Sequence, residues 1–381
     1  MPRITEFTLF ATDLPFRKPF KHAAAVRATS DSLFLKCTTD TGAVGFGECL
    51  PRDYVSGESR AETFKLLKEA ILPHLLGREF AGLDELKDFL ANCDGKAPPD
   101  WVSPKRPQTA AWCAVDLALL DVFGKAEKQR VWLNDMRHWP ARLRYSPVIS
   151  SDAGLKKLLL IRLLRFPQVK IKVEKGRAAT QTRRVRRVLG KGCGLRVDAN
   201  MAWTAEEALT ELPALASLGV TSCEQPVAAS DLPGLARLVR ESRVGIMVDE
   251  SLNDRDSLDR LIRDKACTAV NVRISKCGGL VASHQRCREA LAAGLTVQIG
   301  CQVGESSLLS AAHLTLVTAV TEVTYAEGCF GRLLLGEDPA EPVLQFRPGG
   351  KPPAVPVHPG LGVTVEEEIL KRYAGEICTL R

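Results

Sequence analysis

No apolar run in the 381 residues approaches the roughly 18 needed to cross a bilayer. The opening Met1-Pro2-Arg3-Ile4-Thr5-Glu6 carries no apolar signal segment. A soluble, cytoplasmic chain with no membrane partner is expected. Aromatic residues are only 6% of the chain, so its core must be mainly aliphatic. The 12 cysteines include no Cys-x-x-Cys pair, which sets aside zinc ribbons and redox dithiols. Single thiols in apolar segments, such as Cys223, Cys277 and Cys301, read instead as reduced and partly buried. No Gly-x-Ser-x-Gly elbow is present, which removes the commonest hydrolase signature for an α/β chain. Charge of one sign is also scarce. Lys plus Arg number 52 against 45 Asp plus Glu, and the surplus of 7 suits small anionic substrates without demanding nucleic acid.

What is present is ordinary globular composition, 45% apolar and 25% charged, with length enough for about two domains at roughly 150 residues each. The first part reads as strands at Ile4–Phe10, Ser32–Thr38 and Ala43–Glu48, the last two joined by the turn Thr39-Asp40-Thr41-Gly42. Helical spacing follows at Arg60–Leu76, Leu83–Ala91 and Gln108–Phe123. Residues 1–130 thus form an expected α+β unit.

Beyond about residue 141 the texture changes. Short β-branched runs alternate with helical stretches at Val169–Val173, Gly194–Asp198, Val220–Glu224, Gly245–Asp249, Ala269–Ile274, Thr296–Gly300 and Glu322–Glu327, implying βαβ units and a parallel sheet. The polar strand-end residues Lys172, Asp198, Glu224, Asp249, Lys276, Cys301 and Glu327 fall 26, 26, 25, 27, 25 and 26 residues apart. So even a period favours a closed barrel over an open doubly wound sheet. With Leu143–Ile149 as its first strand, the barrel occupies residues 131–335. The Pro- and Gly-rich residues 336–381, with a helix at Val365–Tyr373, are expected to pack back on the N-terminal unit.

A β/α barrel carries its active site at the C-terminal ends of its strands. Lys170 and Lys172 are two apart on one strand and share a face, while Val169, Ile171 and Val173 share the other. If the apolar face packs on helices, two ammonium groups point into the barrel, although such a pair is more often the wet face of an edge strand. Asp198, Glu224 and Asp249 end three successive strands. One such acid is commonly a helix N-cap; three that converge repel one another and call for a cation. All-oxygen ligation points to Mg²⁺ or Mn²⁺ rather than zinc. Lys276 follows in the next unit, where the plain alternative is a solvent-facing loop lysine. Lysine, acid, acid, acid, lysine in order suits removal of a proton next to a carboxylate, through an enediolate, with a lysine as base.

In order and spacing these residues resemble the enolase superfamily, in particular its muconate-lactonizing-enzyme subgroup within the mandelate racemase/muconate lactonizing enzyme family. The resemblance covers nearly the whole chain, including Gly45-Phe46-Gly47-Glu48-Cys49, the helix Ala110–Asp121 with Gly124-Lys125, and Lys276-Cys277-Gly278-Gly279. It implies a (β/α)7β-type TIM barrel, an α/β fold, with an N-terminal α+β capping domain completed by the C-terminal segment. It implies that Asp198, Glu224 and Asp249 bind Mg²⁺, that Lys172 and Lys276 are the acid/base pair on opposite faces of the substrate, and that Lys170 polarises its carboxylate. Asn200 and Glu250 become supporting partners behind them. The segments Phe16–His22 and Pro51–Gly57 correspond to the subgroup's mobile cap loops, which makes Phe20 and Tyr54 substrate contacts. Arg17, Lys18, Lys21 and His22 make the first of these basic. A small carboxylate substrate and a homo-oligomer complete the expectation.

The chain also departs from that pattern. Dipeptide epimerases of the subgroup hold an α-ammonium with Asp-x-Asp at the end of the eighth strand; Gly328, Cys329 and Phe330 stand there, leaving Glu327 as the nearest acid. Gly300-Cys301-Gln302-Val303-Gly304-Glu305-Ser306 is one residue longer than the subgroup's Glu-Ser segment, and Glu305 is a candidate contact. Gly190–Gly194 precedes a strand instead of opening a helix, so it reads as a turn and not a phosphate loop. An epimerase or racemase of an N-acylated or otherwise modified amino acid is the first expectation. The alternative ends in cycloisomerisation or syn elimination, as in muconate cycloisomerase and o-succinylbenzoate synthase. A remote third is an idle barrel binding nucleic acid through Arg183–Arg187, which on a helix otherwise reads as a solvated face.

Overall fold

The structure is a computed structural model that describes residues 1–22, 25–133 and 139–381, without the side chains of residues 20–26. The chain opens with strands β1 (Ile4–Thr12), β2 (Leu14–His22), β3 (Ala25–Ser30), β4 (Leu33–Thr39) and β5 (Val44–Cys49). Helices α1 (Asp53–Ser56), α2 (Arg60–Leu66), α3 (Leu83–Cys93) and α4 (Thr109–Ala126) follow. The helix expected over residues 60–76 ends early. After Leu66 it loosens into a π turn over Leu67–Ile71 and then a 3₁₀ turn carrying Pro73, whose missing N–H cannot continue an α-helix. Glu58 caps α4, accepting from Ala110 N at 2.8 Å and Ala111 N at 3.1 Å. Helix α4 is buried almost along its whole length, lying on β4 and β5. Gly47 permits this contact, since a Cβ there would lie 2.0 Å from the Ala114 carbonyl oxygen.

The second part is regular. Strands β6 (Val148–Ile149), β7 (Gln168–Lys172), β8 (Gly194–Asp198), β9 (Val220–Glu224), β10 (Gly245–Val248), β11 (Ala269–Val272), β12 (Thr296–Ile299) and β13 (Val323–Ala326) are parallel and pair in sequence order. Seven helices lie between them: α5 (Leu155–Leu163), α6 (Ala178–Leu189), α7 (Ala205–Ser217), α8 (Leu232–Glu241), α9 (Arg255–Arg263), α10 (Leu280–Ala292) and α11 (Ser307–Ala319). Capping boxes at Thr204/Glu207 and Asp254/Ser257 fix where α7 and α9 begin. A bridge from Tyr145 to Ala326 joins the first strand's approach to the last strand and closes the ring. This is the expected (β/α)7β barrel. Its first strand is shorter than expected, because Pro147 has no N–H to give a ladder and only Val148 and Ile149 pair regularly.

The chain ends with β14 (Ala340–Glu341), β15 (Thr364–Val365), α12 (Glu367–Tyr373) and β16 (Ala374–Leu380). β16 pairs antiparallel with β1, giving a four-stranded sheet in the order β16-β1-β4-β5. Two acids of α4 tie the parts together. Asp116 accepts from Leu280 N at 2.7 Å and so caps α10, while Asp121 accepts from Phe46 N at 2.9 Å and Leu361 N at 2.8 Å. The segment Phe16–His22, expected as a loop, lies instead in the hairpin of β2 and β3, where Leu14 and Pro15 register with Ser30 and Thr29. Phe16-Arg17-Lys18-Pro19-Phe20-Lys21-His22 has no strict two-residue alternation, so its pattern does not announce a strand.

Candidate active site

β7 sends Lys170 and Lys172 inward, while Val169 and Ile171 are buried on the helix side. Parallel register then sets Lys172, Asp198 and Glu224 side by side on three strands, and Asp249 follows two residues beyond the partner of Glu224. The residues singled out at the strand ends therefore converge. Lys170 Nζ lies 2.6 Å from Glu327, 3.0 Å from Glu224 and 3.7 Å from Asp198. Lys172 donates to Asn200 Oδ1 at 2.8 Å and sits 3.6 Å from Asp198. Lys276, fully buried, donates to the Asp249 carbonyl, to Asp249 Oδ1 at 3.0 Å and to the Asn271 carbonyl at 2.9 Å. Asn200 is held with φ +44 and donates its N–H to Asp198 Oδ1 at 3.1 Å.

Charge decides the protonation states. Burial alone would push Glu224 up, but Lys170, Arg273 and Arg196 reverse this and hold it at about 2. Burial likewise works against the charge on Lys170, yet Glu224, Glu327 and Asp198 outweigh it and raise the ammonium above its ordinary range. Lys170 is therefore a fixed cation. Asp198 is raised by burial in the company of Glu224. Glu250 is pushed up to about 8 by burial and by Asp249 beside it.

The sequence reading missed several inner residues. Arg273 ion-pairs with Asp249 and stands 3.6 Å from Glu224. Asn271 Nδ2 donates to Glu224 Oε1 at 2.9 Å, and Gln298 Nε2 to Glu224 Oε2 at 3.3 Å. Arg196 donates to Glu327 at 2.9 Å, to Ser146 Oγ at 2.8 Å and to Gln298. Strand parity was the available signal, since Arg196 precedes Asp198 by two and so shares its inward face.

The outlying candidates are scattered. Glu305 is buried, accepts from Gln302 N at 2.6 Å, and is pushed up to about 8 by burial. Glu327 has both carboxylate oxygens engaged, by Lys170 and Arg196. Tyr54 stands 40% exposed on α1, within electrostatic reach of Arg52. Phe20 falls on β2, and its side chain lies outside the described residues. Gly328 packs against His313 and buried Cys329 contacts the Tyr145 hydroxyl at 3.1 Å, so no carboxylate occupies the Asp-x-Asp positions.

Asp198, Glu224 and Asp249 supply hard oxygen donors of the kind a small divalent cation takes. Among the described residues no three acids, histidines or thiols are gathered round one point; Lys170, Arg273 and Lys276 ion-pair with these carboxylates. Two buried oxygens beside them, Glu250 Oε2 and Asn271 Oδ1, have no hydrogen-bond partner. Unsatisfied acceptors next to three carboxylates fit a site completed by a cation.

Barrel, cap and strand-end residues together define an enolase-type enzyme. The N-terminal domain of the mandelate racemase/muconate lactonizing enzyme family matches residues 4–133, and the enolase C-terminal domain-like family matches residues 156–369. The chain belongs to the mandelate racemase/muconate lactonizing enzyme family of the enolase superfamily. It is 27% identical to an N-succinyl-L-Arg/Lys racemase of Bacillus cereus over 97% of both chains. The crystal structure of the N-succinyl Arg/Lys racemase from that species superposes with a TM-score of 0.88 at 26% identity, covering 100% of each chain. A muconate cycloisomerase of Acinetobacter lwoffii is 28% identical over 95% of this chain and 93% of its own. A dipeptide epimerase from Cytophaga hutchinsonii, solved with Mg and D-Ala-L-Val, shares the fold at a TM-score of 0.85 and 22% identity, with 100% of each chain covered.

Proposed function

We propose that this enzyme removes the proton α to a substrate carboxylate and returns it to the opposite face, racemising or epimerising an N-acylated or otherwise modified amino acid. One observation carries the reading. Lys172 ends β7 and Lys276 follows β11, four strands apart in a ring of eight, so the two ammonium groups face each other across the row of acids.

Asp198, Glu224 and Asp249 are the residues that would hold Mg²⁺ (or Mn²⁺), which when bound supplies Lewis-acid stabilisation of the charge developing on the substrate carboxylate. Lys170, fixed as a cation by Glu224 and Glu327, is unsuited to take a proton and suited to face a carboxylate oxygen. Proton transfer then belongs to Lys172 and Lys276. Lys172, nearer solvent, is oriented by Asn200. Lys276 is oriented by the Asp249 and Asn271 carbonyls.

Among the described residues the end of the eighth strand offers no open carboxylate to a substrate nitrogen. Glu327 is spent on Lys170 and Arg196, and the next residues carry no acid. A free α-ammonium would be left unpaired in a buried site, whereas an acylated nitrogen needs no counter-ion. The N-succinyl racemase relative agrees with this. A cycloisomerase or syn-eliminating lyase is the second reading, favoured by the muconate cycloisomerase relative and sharing the first proton transfer. No helix among the described residues is long and apolar enough to cross a membrane, and the 12 free cysteines suit a reducing cytoplasm. A homo-oligomer belongs to the same reading.

The test is α-proton exchange in D₂O with Mg²⁺, read by mass spectrometry across N-acyl amino acids, dipeptides and hydroxy acids. Exchange confined to acylated substrates and lost with a chelator is expected. Exchange with free dipeptides alone overturns the substrate class, and a new ultraviolet chromophore without exchange supports elimination or cycloisomerisation.

A further inference from the structure

The arginine run at 183–187 takes no part in the chemistry above, but the fold gives it a neighbour. Helices α5 and α6 lie side by side on the barrel flank, joined by Arg162 Nη1 donating to the Val188 carbonyl at 2.8 Å. On α5, Leu155, Leu159, Leu160 and Leu163 are 53%, 49%, 53% and 76% exposed, while Leu158 and Ile161 are buried. At 3.6 residues per turn the four exposed leucines and Lys156 fill one continuous arc of about 140°. On α6, Arg183, Arg184 and Arg187 are exposed next to them. Residues 153–193 hold 13 Lys and Arg against Glu174 alone, of which Lys170 and Lys172 point into the barrel and 11 remain for the flank, and the rest of the chain holds 39 basic and 44 acidic residues. The chain's whole positive surplus is concentrated on this stretch.

Between the two helices and β7 opens a cavity of about 110 Å³ whose lining includes Ser150, Ser151, Leu158, Arg177, Gln181 and Arg184. The start of α6 above it has no side-chain cap, and the Gln181 amide nitrogen is buried without a partner. Its donors and cations match a phosphate group.

A nucleic acid would answer the cations but offers nothing to four leucines. A second copy placed face to face would set like charges against each other. A bilayer with anionic headgroups answers both, since an interfacial helix buries its apolar face at the acyl boundary while Lys and Arg meet the phosphates. Against the expectation of no membrane partner, we propose that the α5–α6 flank is a peripheral docking surface for an anionic phospholipid bilayer, with one headgroup phosphate seated in the cavity. The surface lies on the side of the barrel, so docking leaves the site at the strand ends open.

Flotation of the full chain with phosphatidylcholine vesicles, with and without phosphatidylglycerol, tests this. Binding to the mixed vesicles only is expected. Arg184→Ala and Arg187→Ala should each weaken it about fivefold. Leu159→Ser with Leu163→Ser should weaken it about tenfold or more, with the melting temperature and α-proton exchange unchanged because all four positions are exposed. Three results overturn the proposal. They are no flotation on either vesicle, flotation unaffected by the serine variant (the bare electrostatic contact that RNA would equally make), and a concentration-dependent dimer by light scattering that the serine variant dissolves.

Discussion

Lys170 on the second barrel strand lies 2.6 Å from Glu327, which follows the eighth, so an ion pair reaches past the short first strand where the ring closes. The pair is nearly dry, with side chains 4% and 5% exposed, and Arg196 completes it at 2.9 Å. It keeps Lys170 charged and engages both carboxylate oxygens of Glu327.

Removing Glu327 takes the carboxylate partner from buried Arg196 and one of three from Lys170. Glu327→Ala is expected to destabilise the protein by about 3–5 kcal/mol, and Glu327→Gln, which keeps one acceptor oxygen for either Lys170 or Arg196 but turns an NH2 donor to the other, by less. Urea unfolding measures both. A midpoint for the alanine variant equal to wild type would mean the site is wet and the pair idle.

Opposed lysines make a stereochemical prediction. Lys172→Ala should abolish α-proton exchange from one enantiomer and Lys276→Ala from the other, each by about 10²–10⁴-fold. Single-enantiomer exchange in D₂O reads this. If both variants leave exchange intact, the lysines are not the bases.

Buried carboxyls give the metal-free protein a pH slope. Glu305 is raised to about 8 and Glu48 to about 7, chiefly by burial. Their folded values lie above the unfolded carboxyl value of about 4.3. The folded state therefore binds more protons between, and this contribution to stability is full below about 4.3 and lost as pH rises through 7 to 8. The melting temperature without metal should fall over that window, and Glu305→Gln should flatten the fall. A slope unchanged in that variant would assign it to other groups.

A cation that binds only the folded chain raises its stability by mass action. Mg²⁺ at about 100 times its dissociation constant should add about 2.7 kcal/mol. Asp249→Asn should lose most of the shift, and a chelator should reverse it in the wild type. Differential scanning fluorimetry follows this without any substrate. A Mg²⁺ shift that persists in Asp249→Asn would place the ion elsewhere.

Close packing of cap helix on cap sheet depends on one missing side chain. Gly47→Ala would drive its Cβ to 2.0 Å from the Ala114 carbonyl oxygen, against backbone that cannot give easily. Destabilisation of about 1–3 kcal/mol or more is expected, seen as a lowered melting temperature with the metal shift retained.

The sequence by itself determined the parallel barrel and the order of its strand-end residues. Periodicity is a local property, and a 25–27-residue repeat of strand and helix can bury its apolar faces together only by closing or extending one sheet. Strand parity likewise made the inward lysine pair legible, and would have exposed Arg196 as well. Only the tertiary structure decided how the charges are shared. That Arg273 answers Glu224 and Asp249, that Glu327 pairs with Lys170 instead of waiting for an amine, and that Asp116 and Asp121 cap segments more than 70 residues away each depend on distances between distant parts of the chain. The hairpin at β2 and β3 and the two-residue β6 escaped the sequence for a related reason. Phe16–His22 lacks the strict alternation that marks a strand, and Pro147 shortens a strand whose composition reads longer. Composition records which charges the chain holds; only folding settles which of them meet.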